Sequence, residues 1–222
     1  MGRFAYRDLV TTLPSSVRRL EIAHAHGPDI KIIELAKNYC PLLEELRLGR
    51  CTMFNRRPAC PFWERFAFDH DAYMSLDGAD EYAYSLSKEL SPMKHLVVLQ
   101  LGVYLIPSTL VLIHRLFHTR DLPVPAHFSW QAALDILSRE TRENTPADQL
   151  SMLISLLHEP SWGDRDESAC RLCWDMTSQA TLNAEQSAGI ILQQNIPSLK
   201  QIAWMNWFSS EHLGLSYGLR SK

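Results

Sequence analysis

The segment Leu43-Glu-Glu-Leu46-Arg-Leu48-Gly-Arg-Cys51-Thr-Met53 constrains the fold more than any other part of the chain. Apolar residues stand at 43, 46, 48, 51 and 53, and mostly charged or small residues fill the places between them. Over the central four residues the alternation has the two-residue period of a strand. Leu46 and Leu48 point to one side, and Glu45 and Arg47 to the other. The segment reads as a short strand followed by a bend.

The spacing recurs. Val17, Leu20, Ile22 and Ala25 repeat it, as do Leu96, Leu99, Leu101, Tyr104 and Ile106. Leu199, Ile202, Trp204 and Trp207 form an aromatic version near the C-terminus, and Trp63, Phe66 and Phe68 suggest a degenerate unit. Leu20 and Leu46 lie 26 residues apart, within the period of leucine-rich repeats, whose signature L-x-x-L-x-L-x-x-C-x-L the segment 43–53 approaches. Leu46 and Leu99 are 53 residues apart, close to two periods, whereas 103 residues separate Leu99 from Ile202. Aligning the first two units places Arg19 opposite Glu45 and Glu21 opposite Arg47. Opposite charges on paired strands each contribute a few tenths of a kcal/mol, so this match predicts that the two strands are neighbours.

Between the strands the pattern turns helical. Helices are expected over 29–39, stopped by Pro41, over 79–90, stopped by Pro92, and over about 108–119. Further helices are expected over 129–142, 147–158 and 168–195, the last ended by Asn195-Ile-Pro197. Residues 52–76, rich in Pro, aromatics and Arg, read as an irregular insertion, and the tail from about Ser209 as a cap over the end of the array. The organisation expected is repeat units over 1–106, then a helical continuation over 107–222 that closes with a final repeat strand and the cap.

Composition narrows the function classes. With 222 residues and 46% hydrophobic content the chain can bury a sizeable core. A net charge of −3 and the lack of a dense Lys/Arg block leave no nucleic-acid footprint. Residues 96–113 carry no charge, but Pro107, Gln100 and Gly102 make a buried strand and helix a better reading than a membrane span. Five unevenly spaced cysteines and no Asn-x-Ser/Thr sequon point to a reducing, intracellular compartment, cytoplasmic or nuclear, with thiols packed as small hydrophobes.

Few residues suggest chemistry. Cys170-Arg-Leu-Cys173 is a C-x-x-C pair, and structural thiols, half of a metal site and a redox dithiol all remain open for it. His114 and His118 share a helix face at i and i+4, but Arg115 stands where a zinc protease would carry Glu. His24 and His26 read as loop polar groups. No phosphate loop, nucleophile elbow or catalytic carboxylate pair is recognisable, so no catalytic residue, metal or cofactor is assigned, and Cys170 and Cys173 stand only as weak metal candidates.

The stretch Cys40-Pro-Leu-Leu-Glu-Glu-Leu-Arg-Leu-Gly-Arg-Cys51 resembles the cysteine-flavoured leucine-rich repeat of F-box proteins. The order of Leu13 to Ile22, Met93 to Leu105, Ala169 to Cys173 and Ile196 to Phe208 is similar to that of fungal F-box-like proteins. In that family the F-box recruits a Skp-type adaptor of a cullin–RING ubiquitin ligase, and the repeats bind the substrate. The first repeat begins near residue 13, which leaves no room for an F-box ahead of it. The resemblance therefore implies protein recognition, with adaptor binding only if an F-box exists elsewhere in the full product.

The fold expected is α/β: a short, irregular leucine-rich-repeat solenoid with parallel strands lining a concave face and a helix-rich C-terminal half. The function expected is non-enzymatic recognition of a protein partner or degradation substrate. The alternatives are a metal- or thiol-dependent protein using Cys170 and Cys173, or an unrecognised enzyme. The outward strand residues Arg19, Glu21, Glu45, Arg47, Val98, Gln100, Gln201 and Met205, with Arg50 and His24 at the rim, are the expected contacts.

Overall fold

A computed structural model describes residues 10–25, 29–50, 76–140, 145, 147–149, 151–152, 171–205 and 215–220. Four strands, β1 (Arg19–Ala25), β2 (Glu45–Arg50), β3 (Val98–Tyr104) and β4 (Gln201–Met205), pair in parallel in chain order. A fifth, β5 (Leu215–Arg220), adds to β4 antiparallel. The sheet is mixed and is not curled, so the concave face of a solenoid becomes one face of an open sheet.

The register follows the sequence spacing residue for residue. Leu20, Leu46, Leu99 and Ile202 form one row across the four parallel strands, and Ile22, Leu48, Leu101 and Trp204 form the next. Both rows are buried. Arg19, Glu45, Val98 and Gln201 make the matching row on the other face, followed by Glu21, Arg47, Gln100 and Ala203. A one-residue slip would exchange the faces, so the apolar rows hold the register.

Each parallel strand is entered through the same turn. The amide of Val17 donates to the Pro14 carbonyl, Leu43 to Cys40, Leu96 to Met93 and Leu199 to Ile196, all at 3.0–3.1 Å. The next two amides then donate to the preceding strand. Glu44 and Glu45 reach the Arg18 carbonyl, Val97 and Val98 reach Glu44, and Lys200 and Gln201 reach Val97. The unit is thus a turn plus a strand, repeated four times, including across the 103-residue interval before β4.

Helices α1 (Asp29–Tyr39) and α2 (Ala79–Leu90) match the expected spans. They share one buried cluster with α5 (Arg171–Asn195) and the inner strand rows. Ile32, Ile33 and Ala36 of α1, Ala83, Leu86 and Leu90 of α2, and Ala188, Ile191 and Leu192 of α5 meet there. The buried stripe of α1 is thus centred on Ile32 and Ile33, with Ile30 only partly buried at its border. Lys37 of α1 and Glu89 of α2 form an ion pair at 2.9 Å beside this cluster.

A second cluster covers the other face of the sheet at the ends of β3 and β4. Past Leu101, alternate residues of the β3 segment go to opposite sides: Val103 and Leu105 join the first cluster, Tyr104 and Ile106 the second. The cover is α3 (Ser108–Leu116), a 3-10 turn (His118–Arg120) and α4 (Trp130–Glu140), which contribute Leu110, Leu112, Leu116, Ala133 and Leu137. The helix expected over 108–119 therefore ends earlier and tightens into a 3-10 turn after Phe117, whose φ of −122° leaves the helical range. Residues 147–149 and 151–152 are helical. Thr145 and Asp148 cap their start, with the Thr145 amide donating to the Asp148 carboxylate and the Asp148 amide to the Thr145 hydroxyl.

Some expectations fall elsewhere. The degenerate unit at Trp63, Phe66 and Phe68, the insertion at 52–76 except its last residue, and Trp207 with Phe208 lie outside the described residues. The tail, expected as a cap over the end of the array, supplies a strand that pairs with β4. The alternation of Leu215, Tyr217 and Leu219 with Ser216, Gly218 and Arg220 is the strand signal that the cap reading left unused. No helix among the described residues is long and apolar enough to cross a membrane.

Candidate functional site

Two groups of side chains stand out, one on the outer face of the sheet and one at its end. On the outer face the first strand pair presents charge. Arg19 donates to Glu45 at 2.7 Å across the register that the charge match predicts, and Arg18 pairs with Glu44 one residue earlier. Glu21 and Arg47 are also register partners. The Arg47 guanidinium, however, turns along its own strand to Glu45, at 3.3 Å. Glu45 thus lies between two guanidiniums. The hydrogen bond from Arg19 is the main cause that holds its carboxyl below the ordinary glutamate range, and both positive charges add to it.

Farther across the sheet the outer face becomes neutral. Val98, Gln100 and Gln201 are half-buried and continue the rows begun by the charged residues. Gly49 of β2 lies under an irregularity in β1 between Ile22 and Ala25, where a Cβ would collide with the Ala23 carbonyl. Glycine is needed here for close backbone approach. Met205 departs from the expectation. It has outward parity but is only 5% exposed, packed in the second cluster with Tyr104 and Ile106, and is no accessible contact. The side chains of Arg50 and His24 lie outside those described.

The second group joins residues that the sequence kept apart. His114, on the last turn of α3, is 3% exposed, and Cys173, near the start of α5, is fully buried. His118 opens the 3-10 turn after α3. Its Nδ1 lies 3.0 Å from the Cys173 sulfur, and His114 Nδ1 lies 3.3 Å from the same atom. The two rings stand edge to face with centroids 6.0 Å apart. Burial, and next the neighbouring His114, lower the pKa of His118, which favours the neutral imidazole.

The i, i+4 spacing of the histidines was legible in the sequence. Their meeting with Cys173 was not, because the residues lie 55 and 59 apart in the chain and only the packing of α5 brings them together. Cys170 lies outside the described residues. Cys40 behaves as the sequence suggests for a structural thiol: just past the end of α1 it is fully buried, and burial raises its pKa and so disfavours the reactive thiolate.

Comparison with protein-family models, curated proteins and solved structures yields no match to this chain.

Proposed function

We propose that the chain is a protein-recognition module that binds its partner on the outer face of the parallel sheet, without bond chemistry. The observation that carries this reading is the shared register of four turn-and-strand units. Repetition of one unit sets side chains of the same parity in rows across a rigid surface, which is how leucine-rich repeats present a binding face. We read these units as a short leucine-rich-repeat array, continued by β5 as an antiparallel closing strand.

The contact surface in this reading is Arg19, Glu21, Glu45, Arg47, Val98, Gln100 and Gln201. Its charged half would set orientation and encounter rate, and its neutral half would supply contact area. The ion pairs around Glu45 hold the charged side chains in place before binding, which reduces the ordering cost of association. The partner is a protein of complementary charge pattern. A role as the substrate-binding region of an F-box ubiquitin-ligase receptor follows only if an F-box accompanies this chain in the full product.

Quantitative affinity capture tests the reading with three variants. Arg47→Glu and Gln100→Arg alter the outer face. Lys88→Glu alters an exposed position on α2, in the helix layer of the opposite face. Partners retained by wild type and Lys88→Glu but lost from both face variants support the proposal. A bound set unaffected by either face variant contradicts it.

A further inference from the structure

We propose that His114, His118 and Cys173 form a binding site for a zinc-class divalent cation, which ties the end of α3 to the start of α5. The three donor atoms lie within 4.8 Å of one another. Two imidazoles and a thiolate are a donor set suited to zinc. Zinc takes sulfur at about 2.3 Å and nitrogen at about 2.0 Å, so a tetrahedral site sets N and S roughly 3.6 Å apart. The observed 3.0 Å and 3.3 Å would open by about 0.6 Å and about 0.3 Å, within reach of small side-chain rotations.

An ion can take the place of a purely hydrogen-bonded cluster here. Cys173 belongs to the apolar cluster that includes Tyr104, Leu112, Leu116, Phe117 and Leu137, and His114 is itself buried, a setting in which polar atoms are costly unless satisfied. A thiol has one hydrogen to donate, yet two Nδ1 atoms face it. One ring can accept that hydrogen, and the other must then adopt the opposite tautomer and donate to sulfur. A cation satisfies the same three atoms in another way. It replaces the thiol proton, binds both Nδ1 lone pairs and leaves each ring its proton on Nε2.

The position also suits a structural ion. Within the cluster the loop from β3 through α3 and the first turns of α5 meet, and His114, His118 and Cys173 come from both. A cation there would close the cover over the strand ends. Binding to the folded form alone stabilises that form by mass action.

Cobalt(II) titration of the full chain, first stripped with a chelator, tests the proposal. The wild type should develop thiolate-to-cobalt charge-transfer absorption that saturates at one equivalent and is displaced by zinc. Cys173→Ser should abolish the absorption. His118 is only half-buried, so His118→Ala should keep its far-ultraviolet circular dichroism and lose cobalt affinity by more than about tenfold, the lower end even for outer-shell partners. Zinc should raise the melting temperature of the wild type and not that of His118→Ala. Absence of the absorption in the wild type, its persistence in Cys173→Ser, or an equal zinc effect on both melting temperatures overturns the site.

Discussion

The outer face of the sheet is open where the strands begin and sealed where β3 and β4 end. Arg19 and Glu21 stand exposed and Gln100 half-buried, whereas Tyr104, Ile106 and Met205 pack into the second cluster. Strand parity is the same in both places. The difference comes from what the chain does next. After β3 it turns back as α3 and α4 over the outer face, so side chains that would meet solvent meet another core. Parity tells which face a residue takes, and only the following segment tells whether that face stays free.

Placing the same charge on both regions should give the largest contrast. Met205→Glu puts a carboxylate into the second cluster and should cost about 3–5 kcal/mol, the range for an uncompensated buried charge. Gln100→Glu, with the same parity on the open part, should stay within about 0.5 kcal/mol. Urea unfolding of the two variants measures both. Equal costs would mean that the sealed and open regions do not differ.

A smaller effect is expected within the open region. Gly49→Ala sets a Cβ against the Ala23 carbonyl, so β1 must move away from β2, at about 1–3 kcal/mol as for other overpacked sites. Thermal unfolding checks this. A neutral result would show that the β1 edge yields freely and is no rigid platform.

How far the sequence carried depends on which physical signal was local. The two-residue alternation and the shared spacing of 20, 46, 99 and 202 located all four parallel strands, and the Arg19–Glu45 match named the first pair. Pro41 and Pro92 marked the ends of α1 and α2 because proline lacks the amide a helix needs. The pairing of β5 with β4 was not legible, since an antiparallel edge strand depends on where the tail returns. The cover over Met205 and the meeting of His114 and His118 with Cys173 were hidden for a similar reason. They arise from helices packing across long sequence separations, and no local pattern encodes that packing.

The smallest effect belongs to the ion pair itself. A double-mutant cycle on Arg19 and Glu45 should return about 0.2–1 kcal/mol, weakened by added salt, because the Arg19 side chain is exposed to water while Glu45 is half-buried. Its pH dependence has a definite sign. The Glu45 pKa is lowered on folding, so the coupling is fully present above the unfolded glutamate value of about 4.3. It fades as the pH falls through the lower folded value. Urea unfolding across this window checks it. A coupling that grows on acidification would contradict the assignment.

The central claim is that the open half of the sheet recognises a partner through the pattern it presents. The most direct test is the exchanged pair, Arg19→Glu with Glu45→Arg. The exchange keeps an attraction between positions 19 and 45, gives up the contact of Arg47 with Glu45, and inverts the charges shown to a partner. Affinity capture should find the proteins bound by wild type lost from the double variant, with the melting temperature lowered by no more than about 4 °C, the shift for about 1 kcal/mol in a chain of this size. Retention of the same proteins by the exchanged pair would contradict recognition at this face.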